Sequence, residues 1–176
     1  MEDKKMGTRE QIINSAFECF QQYGYSKTTF LDIARKAGIS RPLIYQYFKN
    51  KKDLFVTMTV ERHDGYVIQT EEVLRSDLGK GEKLRKIIDI WLIEPYKLIK
   101  KSPNPDGWLN ELTNFSHSEN RYRDLFIKAI SPLLGDDLAK VVVLGFKGLL
   151  DDRPSIPSLE KRVETLINAL SLSSRS

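Results

Sequence analysis

Between Thr28 and Phe55 the chain reads TTFLDIARKAGISRPLIYQYFKNKKDLF, and its turn and two short apolar stripes leave few backbones open to it. Thr29 is placed to cap a helix, its hydroxyl accepting an otherwise unpaired backbone N–H. Asp32 stands where the reciprocal partner of a capping box belongs. Ile33, Ala34 and Ala37 follow at helical spacing and give that helix one inward face. Gly38 ends it where a left-handed backbone costs least. Ile39 lies in the turn, and Ser40 is placed to cap a second helix. On that helix Ile44 and Phe48 are four apart and form the inward stripe. Arg41 and Tyr45, also four apart, fall on another face with Tyr47 nearby. Pro42 disfavours helical geometry at Arg41, so the helix starts there or one residue later.

Two helices joined by a short glycine-containing turn, the second basic and rich in hydroxyls, read as a helix-turn-helix. An ordinary helical hairpin with solvated charges has the same turn, and charge placement separates the two readings. From Lys27 to Lys52 there are seven Lys or Arg against one acid, a net +6. Double-stranded DNA, with about one charge per 1.7 Å of axis, is the natural partner of such a segment. Met1 to Phe55 carries ten basic and six acidic residues, and the rest of the chain eighteen of each. The excess of +4 therefore sits with the helix-turn-helix. A chain built to coat membranes or to bind nucleic acid along its whole length would not segregate charge in this way.

The run TTxxDIAxxAG from Thr28 to Gly38, ISRPLIYQYFKNK from Ile39 to Lys51 and the following Asp53-Leu54 resemble the N-terminal DNA-binding domain of the TetR family of bacterial transcriptional regulators. With Gly24 the resemblance spans Gly24 to Leu54, a little under a fifth of the chain. It implies an all-α fold: a three-helix helix-turn-helix domain over 8–52, then a larger helical ligand-binding and dimerisation domain over 53–176. It also implies a homodimer that binds a palindromic double-stranded operator and is released by a small molecule. Site roles follow by position. Tyr45 and Tyr47 fall where the family contacts phosphate, Lys51 matches a lysine facing the backbone, and Thr29 matches a hydroxyl that meets phosphate at a helix N-terminus. Ser40 belongs to the same surface. Arg41 is a candidate for a guanine edge, with a phosphate as the alternative, and Pro42 and Leu43 are candidates for thymine methyls. Tyr45 packed into the domain core is the competing account for that residue.

The 176 residues, 40% of them hydrophobic, are enough for a real core, and Lys, Glu, Leu and Ile usage favours helix. The single cysteine, Cys19, cannot form an intramolecular disulfide; a buried thiol is favoured over a redox sensor. No Cys/His cluster marks a metal site, no cofactor is expected, and no apolar run approaches the roughly 18 residues of a membrane span. A soluble, cytoplasmic chain is the expectation. An enzyme or small-molecule carrier on the same fold is the alternative. An enzyme would need a nucleophile–base or acid–base set, and two histidines, one cysteine and no GxSxG, Walker or HExxH motif supply none.

Elsewhere about nine helices are expected. Thr8 and Gln11 have capping-box spacing before Ile12, Ile13, Ala16, Phe17 and Phe20. A long helix opens at Lys51 and ends near Leu74, and Ser76 to Gly81 is a break. Glu82 to Lys101 is helical, kinked or divided by Pro95. Ser102 to Gly107 is a loop, Trp108–His117 and Asn120–Leu134 are separate helices, and Asp136 opens another that ends near Leu150. Trp91, Tyr96, Trp108, Phe115, His117 and Phe126 are candidates to line a ligand pocket, with core packing as the competing account. Leu159, Val163, Leu166 and Leu170 form an apolar seam on the last helix. With Leu144, Phe146, Leu149 and Leu150 it is the candidate dimer surface, and packing within one chain is again the alternative.

Overall fold

The computed structural model describes residues 7–103, 105 and 116–173, with the side chains of all but 116–119 and 171–173. In chain order the helices are α1 (Thr8–Tyr23), α2 (Phe30–Ala37), α3 (Arg41–Tyr47), α4 (Lys51–Arg75), α5 (Lys80–Ile88), a π turn (Asp89–Ile93), α6 (Glu94–Lys100), α7 (Ser116–Leu134), α8 (Asp136–Leu150) and α9 (Ile156–Ser173). No strand occurs among the described residues. Two compact units divide within α4 between Arg62 and His63, and the described residues from Ile99 to Pro103 belong with the first.

In the first unit, α1 supplies Ile12, Ile13, Ala16, Cys19 and Phe20 to a core shared with Phe30, Ile33, Ala34, Ile44, Phe48, Leu54, Phe55 and Met58. The expected Thr8–Gln11 capping box does not form. Gly7 is the N-cap without a side-chain bond, and the Gln11 amide donates to the Ala37 carbonyl at 2.7 Å. A long-range carbonyl at the end of α2 outcompetes the local cap. Cys19 is buried, and that burial pushes its thiol pKa up, as an inert structural thiol requires. The guanidinium of Arg62 lies 4.2 Å from the Phe17 ring centroid and covers that ring's outer side.

The second unit closes over Leu84, Ile87, Ile88, Trp91, Phe126, Ile130, Val142, Phe146, Leu159 and Val163. α5 starts two residues before the expected Glu82, because Gly79 caps it and the Glu82 carboxylate accepts the Gly79 N–H at 3.1 Å. Pro95 acts through the turn before it. In an α-helix the N–H of residue 95 would pair with the carbonyl of Trp91, and proline has no N–H to give. The helix widens to a π turn at Asp89–Ile93, and the Trp91 carbonyl accepts the hydroxyl of Tyr122 from α7. Burial, followed by the neighbouring Tyr66, holds the Tyr122 phenol far above its usual range, so it stays protonated and donates.

α7 corrects a second expectation. It runs without a break from Ser116 through Asn120 and Pro132 to Leu134. The expected gap at Ser118 and Glu119 is helical, because propagation onto a long amphipathic helix carries a weak former such as serine. The VVVLGF run in α8 is helical, with Val142, Val143 and Phe146 inward.

Candidate nucleic-acid interface

The turn motif is built from its caps. Thr29 accepts the Asp32 N–H at 3.2 Å, and the Asp32 carboxylate accepts the Thr29 N–H at 2.8 Å and its hydroxyl at 2.6 Å. These bonds, the Thr29 side chain's first, hold the Asp32 pKa below its ordinary value. Gly38 takes φ 65°, a left-handed geometry, and the Gly38 and Ile39 N–H groups close back on Arg35 and Ala34. Ser40 occupies the N-cap of α3 but its hydroxyl makes no cap bond; α3 begins at Arg41 with Pro42 in its first turn. Proline is tolerated there because N-terminal N–H groups have no helical partner to lose.

Ile44 and Phe48 are buried behind α3, while Arg41, Pro42, Tyr45, Gln46 and Tyr47 are exposed and Leu43 is half-exposed. Tyr45 is 50% exposed and Tyr47 42%, so both phenols face outward. Tyr45 is nevertheless braced: its ring meets Phe30 edge-on at 5.0 Å, and its hydroxyl accepts from the Arg41 guanidinium at 3.1 Å. Lys49 and Lys52 are exposed beside it. Gln46 shares the face of Pro42 and Leu43 and was not singled out from the sequence, although its amide suits an adenine edge. Lys51 is turned differently. Its ammonium donates to the carbonyls of Tyr25, Thr28 and Ser26 at 2.7, 2.9 and 3.2 Å.

The other sequence-predicted residues lie in the second unit. Trp91 is fully buried, donates its indole N–H to Thr70 at 2.7 Å, and stacks on Phe126 at 5.4 Å. Phe126 in turn stacks on Phe146 at 5.3 Å. Tyr96 is buried and donates to the Pro154 carbonyl at 2.9 Å. Trp91, Phe126 and Phe146 thus form one stack. Trp108 and Phe115, and the side chain of His117, lie outside the described residues. Phe146, Leu159 and Val163 are buried in this chain's own core, with Leu149, Leu150, Leu166 and Leu170 half-buried against it. The outer side of α8 instead exposes Leu138, Val141 (66%) and Leu144 (58%).

Among the described residues no helix is long and apolar enough to cross a membrane, and no group of three His, Cys, Asp or Glu is placed to hold a metal. A short helix with an apolar back and a front of arginine, glutamine and phenols, set after a left-handed glycine turn, defines a helix-turn-helix domain. Residues 12–58 match the family model described as bacterial regulatory proteins, tetR family. Over this segment, about a quarter of the chain, the sequence is similar to that family's DNA-binding domain. It is 33% identical over 78 residues to the fatty acid metabolism regulator protein of Bacillus subtilis (strain 168), a match covering 44% of this chain and 40% of that one. The chain spans between 22% and 40% of the length of the curated relatives it matches.

Solved structures extend the similarity of fold to nearly the whole chain. A TetR transcriptional regulator from Legionella pneumophila superposes with TM-score 0.74 at 18% identity, covering 97% of this chain and 98% of that one. The transcriptional regulator FadR from Bacillus subtilis, in complex with stearoyl-CoA, superposes with TM-score 0.60 at 20% identity, covering 89% and 96%.

Proposed function

We propose that the chain is a ligand-responsive transcriptional regulator that binds a palindromic DNA operator as a homodimer and represses there until a small molecule releases it. The observation that carries this reading is the split of α3: Ile44 and Phe48 locked in the core, Arg41, Tyr45, Gln46 and Tyr47 outside it. Arg41 reads a guanine edge, Pro42 and Leu43 lie against thymine methyls, and Thr29, Ser40, Tyr45 and Tyr47 set the register on phosphates.

One α3 reads too few base pairs for genomic specificity, and two related by a dyad reach useful affinity on a palindrome. The outer face of α8 suits the pairing: Leu138, Val141, Leu144, Gly145 and Gly148 share one side of the helix, and all five are exposed. The effector is a small apolar or amphipathic molecule taken up by the second unit, whose interior is rings and aliphatic side chains. Long-chain acyl thioesters are the first class to test, given the stearoyl-CoA bound to the FadR of similar fold.

Selection of bound sequences from random duplex DNA, repeated with Arg41→Ala, tests the reading. The native chain enriches a palindrome, and Arg41→Ala blurs one position per half-site at a cost of about 1–3 kcal/mol. No enrichment, or an unchanged preference in the variant, refutes it.

A further inference from the structure

By resemblance Lys51 faces the DNA backbone, yet its ammonium is turned onto carbonyls of its own chain. Its nitrogen lies 2.7 Å from the Tyr25 carbonyl, 2.9 Å from that of Thr28 and 3.2 Å from that of Ser26. It also stands 4.5 Å from the centroid of the Tyr25 ring. An ammonium has three N–H donors, so three carbonyls take up its whole donor set. The carbonyls belong to the turn that leaves α1 and launches α2. The same turn is fastened twice more: Tyr25 meets Phe55 edge-on at 5.1 Å, and the Thr28 hydroxyl lies 2.7 Å from the Gly24 carbonyl and 3.1 Å from that of Cys19. The next residue is Thr29, the cap of α2.

We propose that Lys51 is a positioning residue: its ammonium gathers the carbonyls of residues 25–28 and thereby sets where the N-terminus of α2, with Thr29, meets DNA, and it does not itself neutralise a phosphate. The inference rests on the reading that this face binds duplex DNA. It separates two kinds of lysine in one basic segment. Lys49 and Lys52 stand exposed and contribute field, whereas Lys51 sits half-buried and contributes shape.

Two measurements on the full-length chain decide it, using Lys51→Met, which keeps the stem and removes the charge, with Lys52→Met as the neighbouring control. The first is amide hydrogen exchange without DNA. Lys51→Met accelerates Thr28, Thr29 and Asp32 by roughly tenfold or more, since their partners lie in the turn or its cap, while Lys52→Met leaves them alone. The second is the salt dependence of affinity for the selected duplex. Loss of a phosphate contact lowers the log–log slope by about 0.9. Lys51→Met instead weakens binding with the slope changed by less than about a third of that figure. A full loss of about 0.9 overturns the proposal, and so does unchanged exchange in the turn.

Lys51→Arg supplies a second route should the methionine variant fold poorly. A guanidinium keeps the charge and serves a phosphate well, but its planar fork does not converge on three carbonyls. Native affinity and native exchange in Lys51→Arg overturn the inference. A native chain that binds no duplex refutes the DNA reading instead, and the exchange arm still decides whether Lys51 holds the turn.

Discussion

Tyr122→Phe isolates the consequence of Pro95. The phenyl ring stays among its neighbours, 5.6 Å from Trp91, 6.1 Å from Phe126 and 5.1 Å from His63, so packing is kept and only the hydroxyl is lost. That hydroxyl is a donor to the Trp91 carbonyl, whose partner four residues on is Pro95, with no N–H to give. A buried carbonyl stripped of its donor costs about 1–3 kcal/mol. At about 2–4 °C per kcal/mol for a chain of this size, the midpoint falls by about 2–12 °C. Urea unfolding followed by circular dichroism measures the loss, and a cycle with Pro95→Ala gives the reason for it. Alanine at 95 restores a backbone N–H able to close on Trp91, so in that background the cost of Tyr122→Phe drops below about 0.5 kcal/mol. An equal cost in both backgrounds, or none in the native one, refutes the link between the proline and the tyrosine.

The turn, the cap and the outer face of α8 give further expectations. Gly38→Ala loses about 1–2 kcal/mol from φ 65° alone, because an added Cβ meets nothing within 4 Å, and Gly38→Asn loses less; thermal melts of both check this order. The Asp32 pKa is lowered on folding, so its contribution is present above about pH 4 and is lost as pH falls through the folded value. Asp32→Asn should therefore lower the urea midpoint at pH 7, and the difference from the native chain should shrink as pH falls through the folded value. Leu144→Glu places a charge on the exposed face of α8 while its own chain's core stays intact; sedimentation velocity should show a shift from dimer to monomer, with helicity retained.

The first unit was legible because its signals are local. Thr29 and Asp32 are three residues apart, Gly38 marks a left-handed turn, and Ile44 and Phe48 share a face; each is fixed by spacing within one or two turns of helix. The same locality failed at Thr8 and Gln11: the cap falls one residue earlier, on Gly7, and the Gln11 amide finds Ala37, far away in sequence. It failed again at Ser40, which stands at a cap and makes no cap bond. Lys51 was visible as a charge and not as a ligand of three carbonyls, since nothing in a linear pattern tells which atoms converge on an ammonium. In the second unit, periodicity identified Leu159, Val163 and Phe146 as one apolar set but not what covers them. Their cover is this chain's own core, while the exposed Leu138 and Val141 escaped notice beside the more apolar run that follows.

The brace beneath Arg41 bears on how fast and how selectively the recognition helix can work. A long flexible side chain carries about 2 kcal/mol of rotamer freedom that any tight contact must surrender. Here the guanidinium already leans on the Tyr45 hydroxyl, and that ring leans on Phe30, whose own position is set by the interior. The tip of the arginine is thus partly ordered before any encounter. A probe held this way tolerates few alternative poses, so mismatched sites should be discarded quickly and matched ones recognised with little rearrangement.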